Sequence, residues 1–446
     1  MTDRILVRFE GDGSGVEELS WGQIGLWQSI ELSGRPKTMV RVAALPDGAT
    51  VDGMAHQLRF MMSRHQALRT RLRLRDGASP LQVCASEGEA VLEVVDAGDT
   101  DPAEVATAVS ERYQSEQFEL ETEWPVRFAV IRSGGVLTHQ VLVILHTSID
   151  ADGLVALLAD LDRDDESAPV GLPPLEQARR QQTPAGRKQN ATSLEYLEKV
   201  LRTVSPSRFG ERKYEGERII HQIEYRSPAT QLAIGSVAAR LGVNTSPVLL
   251  ASFAVGLARF TGVNPVLAML MVSNRFRPGL SDSVSALIQL TPYLIDVADI
   301  TLDEAVARAA RSALTAYKNA YYNPYEQDEV IERVERERGE EIDLSCFYND
   351  SRVFDRGATE PVTAEQIRSA LELSTVSWAD KINPPKRKIY FNLFDTRGDI
   401  KFEMTADSRW FAPADLETIV RNIEAVAVEA ALDGSAPTGV GQHVKV

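Results

Sequence analysis

The sequence predicts an α/β (α+β) protein built as two similar lobes, and three observations carry that reading. Its 446 residues are too many for one hydrophobic core and suit two domains of about 200 residues each. The first half alternates strands with helices. After a compositional break, the second half supplies a similar inventory again. The boundary falls between residues 172 and 173, giving an N-terminal lobe of 1–172 and a C-terminal lobe of 173–446.

In the first half, 5–9 alternates as an edge strand. Residues 54–63 form a helix with Met54, Leu58 and Met61 on one face. Strands follow at 67–74, 81–83 and 91–95, and 103–118 is a helix with Val105, Val109 and Tyr113 spaced four apart. Strands 126–131 and 140–145 flank a turn at Gly134-Gly135. The second is apolar from Val141 to Leu145, the pattern of a strand buried on both faces. Residues 163–189 are acidic, then proline-rich, then polar and basic, which reads as an inter-lobe connection.

The second half opens with a helix at 193–204 and a strand at 219–225. A helix over 228–241 is closed by Gly242, and the nearly all-apolar 247–260 should be a buried helix. Residues 266–271 form a core strand. Thr301 and Glu304 make a capping-box pattern before a helix at 302–318. Strands at 389–393 and 401–404 precede a closing helix at 413–432.

Composition narrows the function. A 43% apolar and 25% charged chain is ordinary for a soluble globular protein. No apolar run is long enough to span a membrane, and the acidic, glycine-rich N-terminus lacks the features of a secretory signal. Cys84 and Cys346 carry no metal-ligand spacing and cannot build a disulfide framework. A cytoplasmic monomer without a bound metal is the expectation. The net charge of −16 argues against a nucleic-acid partner. It also means that an acidic carrier protein would need a local basic patch to dock on.

The chemistry concentrates at the end of strand 140–145, where the chain reads His146-Thr147-Ser148-Ile149-Asp150-Ala151-Asp152-Gly153 before an apolar helix. A histidine at the end of a buried strand stands where open sheets present functional groups. Imidazole titrates near neutrality, so it can act as a general base or a positioning partner. An aspartate four residues on can fold back and pin the loop. A structural histidine fits the spacing as well.

Other segments match a known pattern across nearly the whole chain. Ser20-Trp21-Gly22-Gln23 with Trp27, Arg64-His65-Gln66-Ala67-Leu68-Arg69-Thr70, Asn274-Arg275 with Leu290-Thr291-Pro292-Tyr293-Leu294, and Asn323-Pro324-Tyr325-Glu326 occur in order. They resemble the motifs of the condensation domains of nonribosomal peptide synthesis, which carry His-His-x-x-x-Asp-Gly after a core strand. Two registers are open. One matches Asp152-Gly153 to the family's Asp-Gly, leaves Thr147 and Ser148 at the histidines and implies a dead enzyme. The other matches Asp150, with His146 at the second histidine, Leu145 at the first and Ala151 at the glycine. The helix after Asp150 keeps step with the family's without a gap, which favours the second register.

The resemblance implies two chloramphenicol acetyltransferase-like lobes set in a V, each a mixed sheet with flanking helices. The implied reaction transfers an acyl group from a thioester to an amine or alcohol, forming an amide or ester. His146 and Asp150 would be the catalytic pair. Ser148, Asp152, Gly153, Tyr293 and Trp378 are candidate substrate contacts, with Asn349 a further candidate for the channel lining. Arg275 would pair with Asp150, and Arg64 would hold a helix-to-strand junction. No bound cofactor is implied. The phosphopantetheine arm of an acyl or peptidyl carrier protein, or coenzyme A, would bring the donor to a small-molecule acceptor. Asp152 adds a carboxylate that can bind a basic acceptor or raise the pKa of His146. If the residue at 151 needs positive φ, Ala151 costs about 1 kcal/mol. The chain has no room for a further assembly-line domain, so a free-standing enzyme is the expectation. A degenerate recruitment platform for a partner enzyme or carrier protein is the alternative.

Overall fold

The computed structural model describes residues 2–441, apart from 211, 213, 216–217, 353–361, 380–386 and 397. Two compact units emerge. The first comprises 1–191, 273–289 and 321–326, and the second 192–272, 290–320 and 327–446. The division therefore differs from a single cut at 172: two later segments return to the first unit.

The first unit holds β1 (Thr2–Glu10), β2 (Gly15–Glu18), α1 (Trp21–Ser33), β3 (Thr38–Ala44), α2 (Val51–Arg64), β4 (Thr70–Arg75), β5 (Ala78–Cys84), β6 (Glu87–Asp96), α3 (Pro102–Ser115), β7 (Val126–Ser133), β8 (Val136–Leu145), α4 (Ala151–Arg163) and α5 (Pro174–Gln181). Its main sheet runs β1-β6-β7-β8-β3, and β2-β5-β4 form a small second sheet. The main sheet is mixed, with β6 and β7 parallel and the other pairs antiparallel. Side chains of α2 and α4 (Leu58, Met61, Met62, Leu157) cover one face, and Ala106, Val109 and Tyr113 of α3 cover the other.

The remaining elements are α6 (Pro184–Thr203), β9 (Ile220–Ser227), α7 (Pro228–Leu241), α8 (Thr245–Thr261), β10 (Val266–Val272), β11 (Gln289–Ile295), α9 (Leu302–Lys318), α10 (Pro324–Arg338), β12 (Cys346–Asp350), α11 (Ala364–Leu371), β13 (Thr375–Ala379), β14 (Ile389–Asp395), β15 (Ile400–Asp407) and α12 (Pro413–Leu432). The second unit's sheet runs β11-β10-β12-β14-β15-β9-β13. Its core draws on α7, α8, α9 and α12, with α8 buried almost throughout as its composition predicts. Gly242 ends α7 in the left-handed region, and Thr301 with Glu304 forms the capping box of α9. No single helix among the described residues is long and apolar enough to cross a membrane.

The segment read as a partly ordered connection is helical over much of its length. Residues 174–181 form α5, and α6 begins at Pro184 rather than 193. Its polar composition misleads because two of its glutamines turn inward: Gln181 is buried, accepts from Trp21 N at 3.0 Å and donates to Tyr321 Oη at 2.7 Å. Gln177 is wholly buried and donates to Leu172 O at 2.6 Å, Ser283 Oγ at 3.0 Å and Ser285 Oγ at 2.9 Å. Residues 67–69, read as the start of a strand, belong instead to a turn of 3-10 helix, Gln66–Arg69, before β4.

Gln177→Leu leaves those oxygens without their donor and is expected to cost about 1–3 kcal/mol. Urea denaturation followed by circular dichroism should show a lower midpoint with an unchanged native spectrum.

Candidate functional site

The site begins with β8. Its residues alternate between two cores: Leu142 and Ile144 pack with Phe128 and Val130, and Val141, Val143 and Leu145 with Ala129 and Ile131. A strand buried on both faces fixes where its last residue emerges. Leu145 pairs with Thr38, and the His146 N–H continues the ladder by donating to Lys37 O at 2.9 Å.

The His146 ring is half-buried, and its Nδ1 lies 2.9 Å from Ile149 O. A carbonyl can only accept, so Nδ1 carries the proton of the neutral ring and Nε2 keeps its lone pair. Leu145, at the position of the motif's first histidine, is 4% exposed and wholly within the apolar core. His146 takes its orientation from backbone and asks nothing of residue 145.

Asp150 does the holding. It is 1% exposed and caps α4, where Oδ1 accepts from Gly153 N at 2.7 Å. Oδ1 also accepts from Arg275 Nη2 at 2.6 Å, and Oδ2 from the N–H groups of Leu287 at 2.8 Å and Ile288 at 3.1 Å. With four donors and no access to solvent, Asp150 is placed to pin the loop and, of the expected catalytic pair, is the member that positions rather than touches substrate. Arg275 reaches it from Asn274, whose φ of +59° is tolerated by asparagine better than by most residues. Arg275 Nη1 also donates to Ser283 O at 2.6 Å, so one guanidinium ties the loop to segment 283–288.

The other expected residues fall into two groups. Ser148 is buried, and its N–H closes a turn onto Leu145 O at 3.0 Å. Gly153 is buried and packed rather than open to substrate: a Cβ there would lie 2.8 Å from both Ile149 Cγ1 and Ser285 O. Ala151 opens α4 without positive φ, so the cost considered for it does not arise. Asp152 is exposed on the first turn of α4, with Arg275 Nε 4.0 Å away. Partial burial and the Asp150 charge raise its pKa against the opposing pull of Arg275 and a hydrogen bond from Ser273. Tyr293 and Trp378 both belong to the second unit. Tyr293 is wholly buried in its core, and Trp378 stands 45% exposed on the edge strand β13. Asn349 bonds to Asn392 within the second unit's sheet.

Arg64 holds the far end of α4 more than its own junction. It donates to Asp160 Oδ2 at 2.6 Å and to the carbonyls of Glu166 and Ala168, and His65 Nε2 lies 3.0 Å from the same carboxylate. Burial pushes the Asp160 carboxyl up, but the hydrogen bonds from His65 and Arg64 prevail and hold it at about 2. Burial in turn lowers the His65 pKa, despite the pull of Asp160. Sequence reading missed the backbone parts of the site, namely Lys37 O, Ile149 O and the 287–288 amides, because any residue can supply them.

The family model described as a condensation domain matches residues 15–440. The chain belongs to the condensation-domain family. It is 25% identical over 350 residues to the nonribosomal peptide synthetase kk1B of Curvularia clavata, a match covering 72% of this chain and 2% of that protein. The chain thus spans a small fraction of such a relative's length. A solved structure concerning condensation domain-mediated chain release from the enacyloxin polyketide synthase is similar with a TM-score of 0.72 and 19% identity. That match covers 98% of this chain and 86% of the other. The X-domain in its complex with OxyB from teicoplanin biosynthesis is similar with a TM-score of 0.67 and 15% identity, over 98% of each chain. At such identities the two structures establish the shared fold: this condensation domain has the chloramphenicol acetyltransferase-like architecture.

Two outcomes follow. Asp160 is depressed from its ordinary 3.8 to about 2, so its stabilising contribution is complete above 3.8 and is lost as pH falls through about 2. Asp160→Asn should flatten that part of the acid limb when melting temperature is measured against pH. Leu145→His restores the motif's first histidine but places an imidazole in an apolar core, and denaturant titration should show a loss of about 1–3 kcal/mol.

Proposed function

We propose that this condensation domain is an acyltransferase that joins an acyl thioester to an amine or alcohol, with His146 as its base. The observation that carries this reading is the bond from Nδ1 to Ile149 O, which leaves Nε2 of a half-buried ring as a fixed acceptor. The nucleophile places its N–H or O–H on Nε2 and attacks the thioester carbonyl. The C–N or C–O bond forms as the C–S bond breaks, and the proton passes from His146 to the departing thiolate. The donor arrives on the phosphopantetheine arm of an acyl or peptidyl carrier protein or on coenzyme A. The acceptor is a small amine or alcohol. Asp150 and Arg275 act on His146 through the loop, as positioning residues.

Two observations favour a second reading, a recruitment platform without catalysis: Leu145 stands where the family's motif has its first histidine, and the similar X-domain was solved in complex with OxyB. One experiment separates the two. Acyl-coenzyme A and acyl-carrier donors are screened against amines and alcohols by mass spectrometry, with wild type beside His146→Ala. Product from wild type and a loss of 10²–10⁴-fold in the folded variant is the expected result, the range typical of a positioned base. Product formed equally by the variant contradicts the role of His146 as base, and product from neither protein contradicts catalysis and favours the platform.

A further inference from the structure

We propose that Gly22, on the first turn of α1, is a positioning residue for His146, acting through the segment that clamps Asp150. The inference rests on the reading of His146 as a base and extends the machinery to a residue with no polar side chain.

A glycine inside a helix costs roughly 0.5–1 kcal/mol relative to alanine, so its presence there points to a close approach by something else. At Gly22 that something is backbone. A Cβ on this residue would lie 2.8 Å from Ala286 C and 3.0 Å from Leu287 Cα, and closer still to Ala286 O. Main-chain atoms of a buried segment cannot swing aside as a flexible side chain can. Ala286 is wholly buried and Leu287 is 1% exposed.

The segment touched is the one that engages Asp150. Ser285 O faces the Asp150 N–H at 3.4 Å and accepts from Arg275 Nη2 at 3.2 Å. The Leu287 and Ile288 N–H groups donate to Asp150 Oδ2 at 2.8 and 3.1 Å. Asn274 Nδ2 binds Leu287 O at 3.1 Å, which ties the same residue to the arm that presents Arg275. Pushing 286–287 away from α1 therefore shifts two donors and an acceptor of Asp150 together. The turn that precedes Asp150 carries Ile149 O, the atom that sets which nitrogen of His146 holds the proton. The contact chain runs from α1 to the Nε2 lone pair without leaving the first unit.

Gly25 supplies an internal control. It sits one turn further along α1, and its Cβ would meet only Pro324 Cγ at 3.9 Å, an ordinary contact. Both glycine-to-alanine changes raise helix propensity alike, so a difference between them isolates the approach at Gly22.

The test uses the full chain labelled with 15N-histidine, the His146 signals being assigned by their loss in His146→Gln. In wild type, neutral His146 is expected as a single tautomer protonated on Nδ1, and Gly25→Ala should match it. Gly22→Ala, checked for a cooperative melt, should give an averaged signal, with the tautomer ratio changed roughly fivefold or more, the equivalent of one hydrogen bond. A Gly22→Ala spectrum identical to wild type overturns the proposal. A wild-type ring protonated on Nε2 instead overturns the base reading itself. If Gly22→Ala yields no folded protein, Gln23→Ala takes its place. It removes the acceptor of the Ser20 N–H at 2.9 Å and loosens the same turn without adding an atom. The same drift toward a mixed tautomer is expected from it, and an unshifted His146 again overturns the proposal.

Discussion

A carboxylate taken out of water costs several kcal/mol unless donors replace its lost hydration. Asp150 meets that cost with four donors drawn from three places: its own helix at Gly153, the Arg275 guanidinium, and the amides of Leu287 and Ile288. Arg275 is itself 11% exposed and also donates to the Ser283 and Ser285 carbonyls of the same segment. Neither charge can leave without stranding the other. The arrangement fixes the start of α4, the turn before it and the Ile149 carbonyl, and so determines which nitrogen of His146 is left to accept.

This explains why the departures from the histidine motif are tolerated locally. Leu145 faces the apolar core beside Ile131 and Val143, where an imidazole would lack a polar partner. Ala151 is an ordinary helical residue. The steric demand falls instead on Gly153, which is pressed against Ile149 and Ser285, and on Gly22, pressed against Ala286 and Leu287. Two glycines and one ion pair make the scaffold, and the histidine is its product.

Much of this was legible in the residues. The unbroken apolar run of Val141–Leu145 placed the strand, the Asp150 spacing placed the loop, and the helix after it favoured the register on His146. Long periodic helices such as α9 and α12 read directly. What was not legible depended on enclosure rather than identity. Gln177 and its neighbours look like a solvated linker until their partners at 283–285 are known. Tyr293 in an apolar strand and Trp378 beside polar residues looked alike as channel candidates, yet one is wholly buried and the other stands on an edge strand. The backbone acceptors Lys37 O and Ile149 O carry no sequence signature at all.

The dependence on the buried ion pair can be measured directly by a double-mutant cycle on stability with Asp150→Ala, Arg275→Met and the double variant. Each single change leaves an uncompensated buried charge and is expected to cost about 3–5 kcal/mol, whereas the double variant should cost little more than either alone. Losses that simply add would mean that Asp150 and Arg275 act independently, and the clamp on the His146 loop would have to be sought elsewhere.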